Sequence, residues 1–530
     1  DTSVSEPRTL SSMPTEPLMT DAVARLRHWV AARPDATLLR AAGRVYSYGE
    51  TEARAARVGA VLRDAAGRRG ARVALVLEQY DEFFVCMLGA WLAGLVVVPL
   101  NVSLPQSDID WLIEKSRPEV VVVSDDGACA AAEDGPARLV VTRDAAGLVD
   151  GVRVVSREDG SAGLADTPSA SGDELEAVEA DELAMIMFTS GTTGLPKGVC
   201  QTLRAVSSNA GHVSRVLGLG PDDRIFINTP PYFTSGICHF LTLMANGGGV
   251  AGRLGFYFGA GLLDEMEAEG CTGFGGAPAH LVRVVEPMDE PRPHAFRFWV
   301  SSGDHLPLPV IEKFSRVLPG VDLYNMYGLT EVSGRLCVLA PAELDVKVGS
   351  VGRPIGDMRV VARRGDLSEA APGEQGELYV TGSLLMQGYL DEPDVTAATL
   401  TGHGLRTGDF GTVDESGAVW IAGRKDDIIK RGGEKVSIIH VQQALQGLGR
   451  FADVAVVAAA DEILGHVPVA FVVPHEPDGF KASRVLRELR GLLPSSSLPS
   501  RVVPVAAIPR TGSGKAIRAE LHKLLTEEPE

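Results

Sequence analysis

"LAMIMFTSGTTGLPKG", residues 183–198, runs from an apolar stretch straight into a loop of hydroxyls, glycines and one lysine. The first six residues read as a buried strand. The loop then offers the hydroxyls of Thr189, Ser190, Thr192 and Thr193, with backbone N–H groups freed by Gly191 and Gly194, and the ammonium of Lys197. Such a set holds phosphate through many short donors and one cation. It is not a Walker loop. That pattern needs four residues between its glycines and a Ser or Thr after the lysine. Here two residues separate Gly191 from Gly194, and Gly198 follows Lys197. Taken alone, the stretch also reads as a surface hairpin.

Outward from this loop, helical patterns alternate with short β-branched runs: "RVALVLE" (72–78), "LVVVPL" (95–100), "VVVVS" (120–124) and "RLVVT" (138–142). Alternation of this kind predicts an α/β fold with mostly parallel sheets. The uncharged run 83–100 reaches the nominal length of a membrane span. Gly89, Gly94 and Pro99 interrupt it and no basic flank adjoins it, so it is read as a buried helix before Gly94 and a buried strand ending at Pro99. Residues 157–176, rich in Gly, Ser, Asp and Pro, read as an exposed loop. Short strands and glycine turns over 349–423 suggest a small antiparallel, barrel-like unit. The last hundred residues suggest a compact α+β unit, with a helix at about 481–493 and another after Lys515. The expected division is a loose tail over 1–20, a large domain over 21–423, a hinge at 424–426 and a small C-terminal domain over 427–530.

The 530 residues carry a net charge of −19. That field disfavours nucleic acid and anionic membrane as main partners, so an anionic ligand has to be held by local cations and N–H groups. Six cysteines lie far apart with no C-x-x-C pair, which predicts reduced, mostly buried thiols in a cytoplasmic chain and no structural metal.

Four further stretches follow in order: "YNMYGLTE" (324–331), "RTGD" (406–409), "GRKDDIIKRGGEKVS" (423–437) and "PRTGSGKAIR" (509–518). Together with 188–198 they resemble the motifs of the adenylate-forming superfamily, which includes acyl-CoA synthetases, stand-alone adenylation enzymes and luciferase-like proteins. The resemblance spans roughly residues 22–520. It implies ATP and Mg²⁺ as cofactors, and a phosphopantetheine thiol, of coenzyme A or of a carrier protein acting in trans, as acyl acceptor. A homodimer is admitted.

Each match has a chemical reading. Tyr327 beside Gly328 can stack on a purine, Thr330 can donate to phosphate, and Glu331 is a hard oxygen ligand for Mg²⁺. Asp409 is an acceptor suited to ribose hydroxyls, and Arg424 presents a planar fork to phosphate or ribose oxygens. Motif position adds Gly303, Asp304 and Asn325 to the nucleotide set. The resemblance makes Lys515 the main adenylation residue, a mobile charge for the attack at the α-phosphate. It makes Asp426 the hinge and turns Lys430 toward the thioester-forming site.

"PPYFTSGICHF" (230–240) matches the entrance to the acid pocket, where amino-acid-activating members often hold an aspartate. This chain has Thr234 and Ser235 there, which favours an acid without an α-amino group. Tyr232 and Phe233 are candidate gates, and His239, Gly275, Ala277, His280, Ser302 and Arg335 complete the expected pocket. For Arg335 two readings stand, contact with a second carboxylate or polar tail of the substrate, or exposure to solvent. The chain departs from the family after the hinge, with Ile438-Ile439-His440-Val441-Gln442 in place of Pro-x-Glu-(Val/Ile)-Glu, and with His466 after Gly465. The expected function is an acid–thiol ligase that forms an acyl-adenylate and passes the acyl group to coenzyme A. The alternatives are an adenylation enzyme loading a carboxylic or β-amino acid onto a separate carrier, a luciferase-like oxidation of the adenylate, and a non-catalytic nucleotide-binding protein.

Overall fold

The structure is a computed structural model that describes residues 21–124, 136–154, 175–189, 196–254, 260–304, 306–424, 427–431, 434–461, 464–510 and 516–527. The exposed loop expected over 157–176 lies almost wholly outside these residues.

Two large sheets make up most of the molecule. In the nine-stranded sheet, six neighbouring strands run parallel: Thr37–Ala41, Gly249–Gly252, Arg224–Ile227, Gly273–Gly276, Phe298–Ser302 and Asp322–Tyr327. In the eight-stranded sheet, the parallel centre is Leu183–Thr189, Val96–Pro99, Arg72–Val76, Val120–Val123 and Ala137–Arg143. The predicted strands are therefore present, and their β-branched runs are buried on both faces, as parallel strands covered by helices require.

The uncharged run resolves as the helix Tyr80–Leu92, every residue of it buried, followed by the strand Val96–Pro99. Gly94 makes the turn at φ +71°, and a Cβ there would lie 2.6 Å from the Glu176 carbonyl oxygen, so only glycine fits. This helix packs on Tyr48–Ala66 through two glycines. A Cβ on Gly59 would meet the Gly89 carbonyl at 2.5 Å, and one on Gly89 would meet the Ala55 carbonyl at 2.6 Å. No helix among the described residues is long and apolar enough to cross a membrane.

Residues 349–423 do not close into a barrel. Their strands form an open antiparallel sheet in the order Arg359–Arg363, Gly376–Thr381, Gly404–Val413, Leu400–Thr401, with Val419–Arg424 also paired to Gly404–Val413. The short strands and turns were legible; closure depends on pairing between distant strands, which local pattern does not encode. The C-terminal sheet is separate, ordered Glu434–Ser437, Ile428–Arg431, Gly465–Pro474, Phe451–Asp461, with Arg501–Pro504 alongside Gly465–Pro474. The helices Ala482–Leu489 and Arg518–Glu527 are where the pattern placed them. Cys86, Cys238, Cys271 and Cys337 are buried free thiols and Cys200 is half-buried; burial pushes the Cys200 thiol up to about 11 and that of Cys271 to about 12.

Candidate active site

Open parallel sheets bind ligands beyond the carboxyl ends of their strands, and Thr189, Gly275, Ser302 and Tyr327 lie at or next to such ends. Leu183–Thr189 turns into Lys197–Thr202 as an antiparallel hairpin, with Thr189 paired to Lys197 and Phe188 to Gly198. The expected phosphate loop is the stretch of chain between these two strands. Ser190, Gly191, Thr192, Thr193 and Gly194 lie outside the described residues, and its two ends are held by Thr189 Oγ1 donating to the Lys197 carbonyl at 3.5 Å. Lys197 Nζ sits 5.3 Å from the centroid of the Tyr389 ring. Tyr389, on the edge strand Gly388–Tyr389, in turn donates its hydroxyl to Glu331 Oε1 at 2.9 Å. Burial, then the Glu331 charge, pushes the Tyr389 hydroxyl well above its ordinary pKa, so it remains a donor.

Tyr389 was not among the residues read from the sequence. A tyrosine next to glycine near a strand edge carries no chemical signature until the fold sets it between Lys197 and Glu331.

Glu331 and Thr330 occupy a short 3-10 turn, Thr330–Val332, after the strand Asp322–Tyr327. The loop closes on itself. A Cβ on Gly328 would lie 1.7 Å from the Gly334 carbonyl oxygen, Ser333 adopts φ +63°, and Gly334 adopts φ +121°. Gln201 Nε2 donates to the Thr330 carbonyl, and Thr330 Oγ1 meets Thr234 Oγ1 at 3.3 Å.

Magnesium carried on a nucleotide takes one or two protein carboxylates, with phosphate and water oxygens for the rest. Glu331 fits that need, with one oxygen taken by Tyr389 and the other without a hydrogen-bond partner among the described residues. No cluster of three His, Cys, Asp or Glu side chains able to hold a metal occurs among the described residues.

Around the residue expected to meet ribose, Tyr327 donates its hydroxyl to Asp409, and Arg424 Nε lies 3.3 Å from the other Asp409 oxygen. Burial and the Asp409 charge hold the Tyr327 hydroxyl well above its usual range, fixing it as donor. Tyr327 is half-buried and Asp409 buried. Asn325 Nδ2 is 3.4 Å from the Ser350 carbonyl. Gly303, at φ +101°, and Asp304 are exposed at the end of Phe298–Ser302.

Asp304 faces the C-terminal unit, 3.8 Å from Arg510, which also forks onto Asp453 at 2.5 and 2.8 Å. Arg510 opens the loop that contains Lys515. Lys515 itself lies outside the described residues, but the base of its loop is closed by an Arg510–Ala516 bridge and by Ile517 N–H on the Pro509 carbonyl at 2.8 Å. Asp426 also lies outside them, and Lys430 is described only as backbone in Ile428–Arg431. Beside the expected hinge, the buried Asp427 accepts the Arg424 N–H at 3.0 Å and pairs with Arg518, a role its sequence position did not reveal. His440 and His466 are both exposed.

Several residues of the expected acid pocket lie on or beside the helix Thr234–Ala245. Tyr232 is buried, its hydroxyl 3.2 Å from Ser103 Oγ, while Phe233 is half-buried and edge-on to it at 4.9 Å. His239 and Arg335 are both buried, with Arg335 Nη2 3.3 Å from His239 Nε2. This excludes the solvent-facing reading of Arg335. A Cβ on Gly275 would lie 2.5 Å from the His239 ring, so glycine there makes room for the imidazole. Ser302 is buried at its strand end. His280 Nδ1 accepts the Ala277 N–H at 3.0 Å, which occupies that nitrogen with capping the helix Pro278–Val285.

The family model described as AMP-binding enzyme matches residues 26–390, and the one described as AMP-binding enzyme C-terminal domain matches 440–515. The chain is similar to a sulfoacetate–CoA ligase of Cupriavidus necator, 30% identical, with 96% of this chain and 98% of the relative covered. It is similar also to a 2-succinylbenzoate–CoA ligase of a Geobacillus species, 28% identical over 86% of this chain and 88% of the relative. Among solved structures, ATP-bound MatB from Rhodopseudomonas palustris aligns with a TM-score of 0.83 and 26% identity, covering 96% of this chain and 99% of that one. A family model spanning most of the chain, on a fold of two large and mainly parallel sheets, places it in the AMP-binding enzyme family.

Proposed function

We propose that the chain is an AMP-forming acid–coenzyme A ligase acting on a carboxylic acid without an α-amino group. The observation that carries this is the convergence of Lys197, Tyr389–Glu331, Thr330 and Tyr327–Asp409 on one edge, facing a pocket helix whose first turn holds Thr234 and Ser235 and no acid. Both relatives described above are named for transfer to coenzyme A.

In the first half-reaction a substrate carboxylate oxygen bonds to the α-phosphorus of ATP, and the bond to the bridging oxygen breaks, releasing pyrophosphate. Lys197 and the hairpin tip hold the β- and γ-phosphates as they leave, and Thr330 positions the α-phosphate. Lys515 adds positive charge where negative charge grows. When bound, magnesium neutralises phosphate charge, and Glu331, oriented by Tyr389, would hold it. Asp409, with Tyr327 and Arg424 on its two oxygens, orients the ribose. In the second half-reaction the small domain turns about Asp426, bringing Lys430 inward and carrying Lys515 away. The thiol sulfur then bonds to the acyl carbon, its proton passes to solvent, and AMP leaves.

Acid-dependent exchange of pyrophosphate into ATP tests the first step, and release of AMP on adding coenzyme A tests the second. Exchange without coenzyme A-dependent turnover would move the acceptor to a carrier protein. Absence of exchange with every acid class would overturn the ligase reading.

A further inference from the structure

Several half-buried arginines elsewhere among the described residues have evident partners. Arg44 and Arg143 pair with the buried Asp81, Arg510 with Asp453, and Arg224 donates to the Glu269 carbonyl. Arg335 has none of these. It is 7% exposed, and the groups that meet its charge among the described residues are neutral: the His239 imidazole, 3.3 Å from Nη2, and the buried Cys238 thiol, whose pKa burial pushes up. A guanidinium without an anion is costly to bury. His239 does not relieve that cost. Burial, then Arg335 itself, keeps the imidazole neutral, and its Nε2 acts as acceptor toward Arg335.

The arginine is also rigidly presented. The buried Asn209 clamps its backbone, donating to the Arg335 carbonyl at 2.6 Å and accepting its N–H at 3.3 Å. The preceding Gly334 lies so close to the pocket helix that a Cβ would be 2.3 Å from Cys238 Sγ. The turn 330–335 therefore lies along the helix Thr234–Ala245 at three levels. Thr330 meets Thr234, Ser333 accepts from Cys238 at 3.4 Å, and Arg335 meets His239. Five helical residues separate the first level from the last, about 7 Å along the axis at 1.5 Å per residue.

On the ligase reading above, which this inference deepens, Thr330 marks the end where the carboxylate is activated. We propose that Arg335, set by His239 and Asn209, is the specificity determinant for a second anionic group at the far end of the substrate. The substrate class is then a short acid bearing a terminal carboxylate or sulfonate, which supplies the missing counter-charge on binding. A planar guanidinium forks onto either group.

The test compares pyrophosphate exchange by the full chain with length-matched pairs: malonate against propanoate, succinate against butanoate, glutarate against pentanoate, and 3-sulfopropanoate as the sulfonate arm. The expected kcat/KM of the best dianionic acid exceeds that of its monoanionic match by about tenfold or more. In Arg335→Met that ratio falls by about 100-fold, mainly through the KM of the dianionic acid. Equal exchange by both classes in the unmodified protein overturns the inference and leaves the ligase reading intact. So does an equal loss of both classes in Arg335→Met, which marks a purely structural arginine. Should Arg335→Met not fold, Arg335→Lys, which keeps the charge and loses the fork, lowers the same ratio; an unchanged ratio counts against the proposal. If no acid supports exchange, the ligase reading falls. Calorimetric binding of succinate to the MgATP-loaded protein, seen in the unmodified chain and lost in Arg335→Met, then still decides the role of Arg335.

Discussion

At the scale of single residues, Tyr389 links two functions that the sequence keeps far apart. Its ring lies under Lys197 and its hydroxyl holds Glu331. Tyr389→Phe keeps the ring and removes the donor, so the effect falls on MgATP and not on the acid. A hydrogen bond to a carboxylate contributes roughly 1.5–3 kcal/mol, which predicts at least about a tenfold lower exchange rate at sub-saturating MgATP, with the KM for the acid unchanged. His280 carries a pH signature. Burial, then the nearby Arg283, holds its imidazole down to about 4 from an ordinary 6.5. The unfolded chain therefore binds more protons between these values, and the stability tied to neutral His280 is complete above pH 6.5 and lost as pH falls toward 4. Unfolding midpoints measured across this range should decline less steeply in His280→Gln than in the unmodified protein. Lys197, Thr330, Glu331 and Asp409 were singled out in the sequence because phosphate, metal and ribose chemistry restrict residue type, and folding brings Lys197 to the ring and Glu331 to the hydroxyl of Tyr389. Tyr389, Asp427 and Asn209 were not, because their roles arise from neighbours more than 50 residues away or on another element.

At the scale of elements, the helix pair Tyr48–Ala66 and Tyr80–Leu92 approaches through backbone at Gly59 and Gly89. Overpacking such a contact costs about 1–3 kcal/mol. Gly89→Val should lower the unfolding midpoint accordingly, while the KM values for ATP and acid stay unchanged because the contact is remote from the sheet edges; an unchanged midpoint would refute the close packing. The run 83–100 could be read correctly because Gly94 punctuates it, and the backbone there does take the left-handed turn that glycine allows. The unit at 349–423 was misjudged as barrel-like although its strands were recognised. Strand existence is a local property of alternation and turns, whereas an open or closed sheet is settled by which distant strands pair.

At the scale of the whole molecule, the proposed half-reactions place opposite demands on one site, and rotation of the small domain is the proposed answer to both. Lys515→Ala should abolish acid-dependent pyrophosphate exchange and leave thioester formation from pre-made acyl-adenylate largely intact. Asp426→Pro should do the reverse and trap the adenylate. Equal loss of both steps in the first variant, or normal thioester turnover in the second, would refute rotation about 426. Arg510, bridging Asp304 and Asp453, is the contact that holds the base of the Lys515 loop against the large domain. By itself the sequence determined the α/β class and, through its ordered motifs, the family, since periodicity and motif residues are written locally. Tertiary structure alone decided which of these residues lie together. Arg335 was ambiguous in the sequence because a lone arginine is as easily solvated as buried. Folding buries it beside a neutral histidine with no carboxylate partner among the described residues, and the low polarity of that surrounding gives the unpaired charge its meaning.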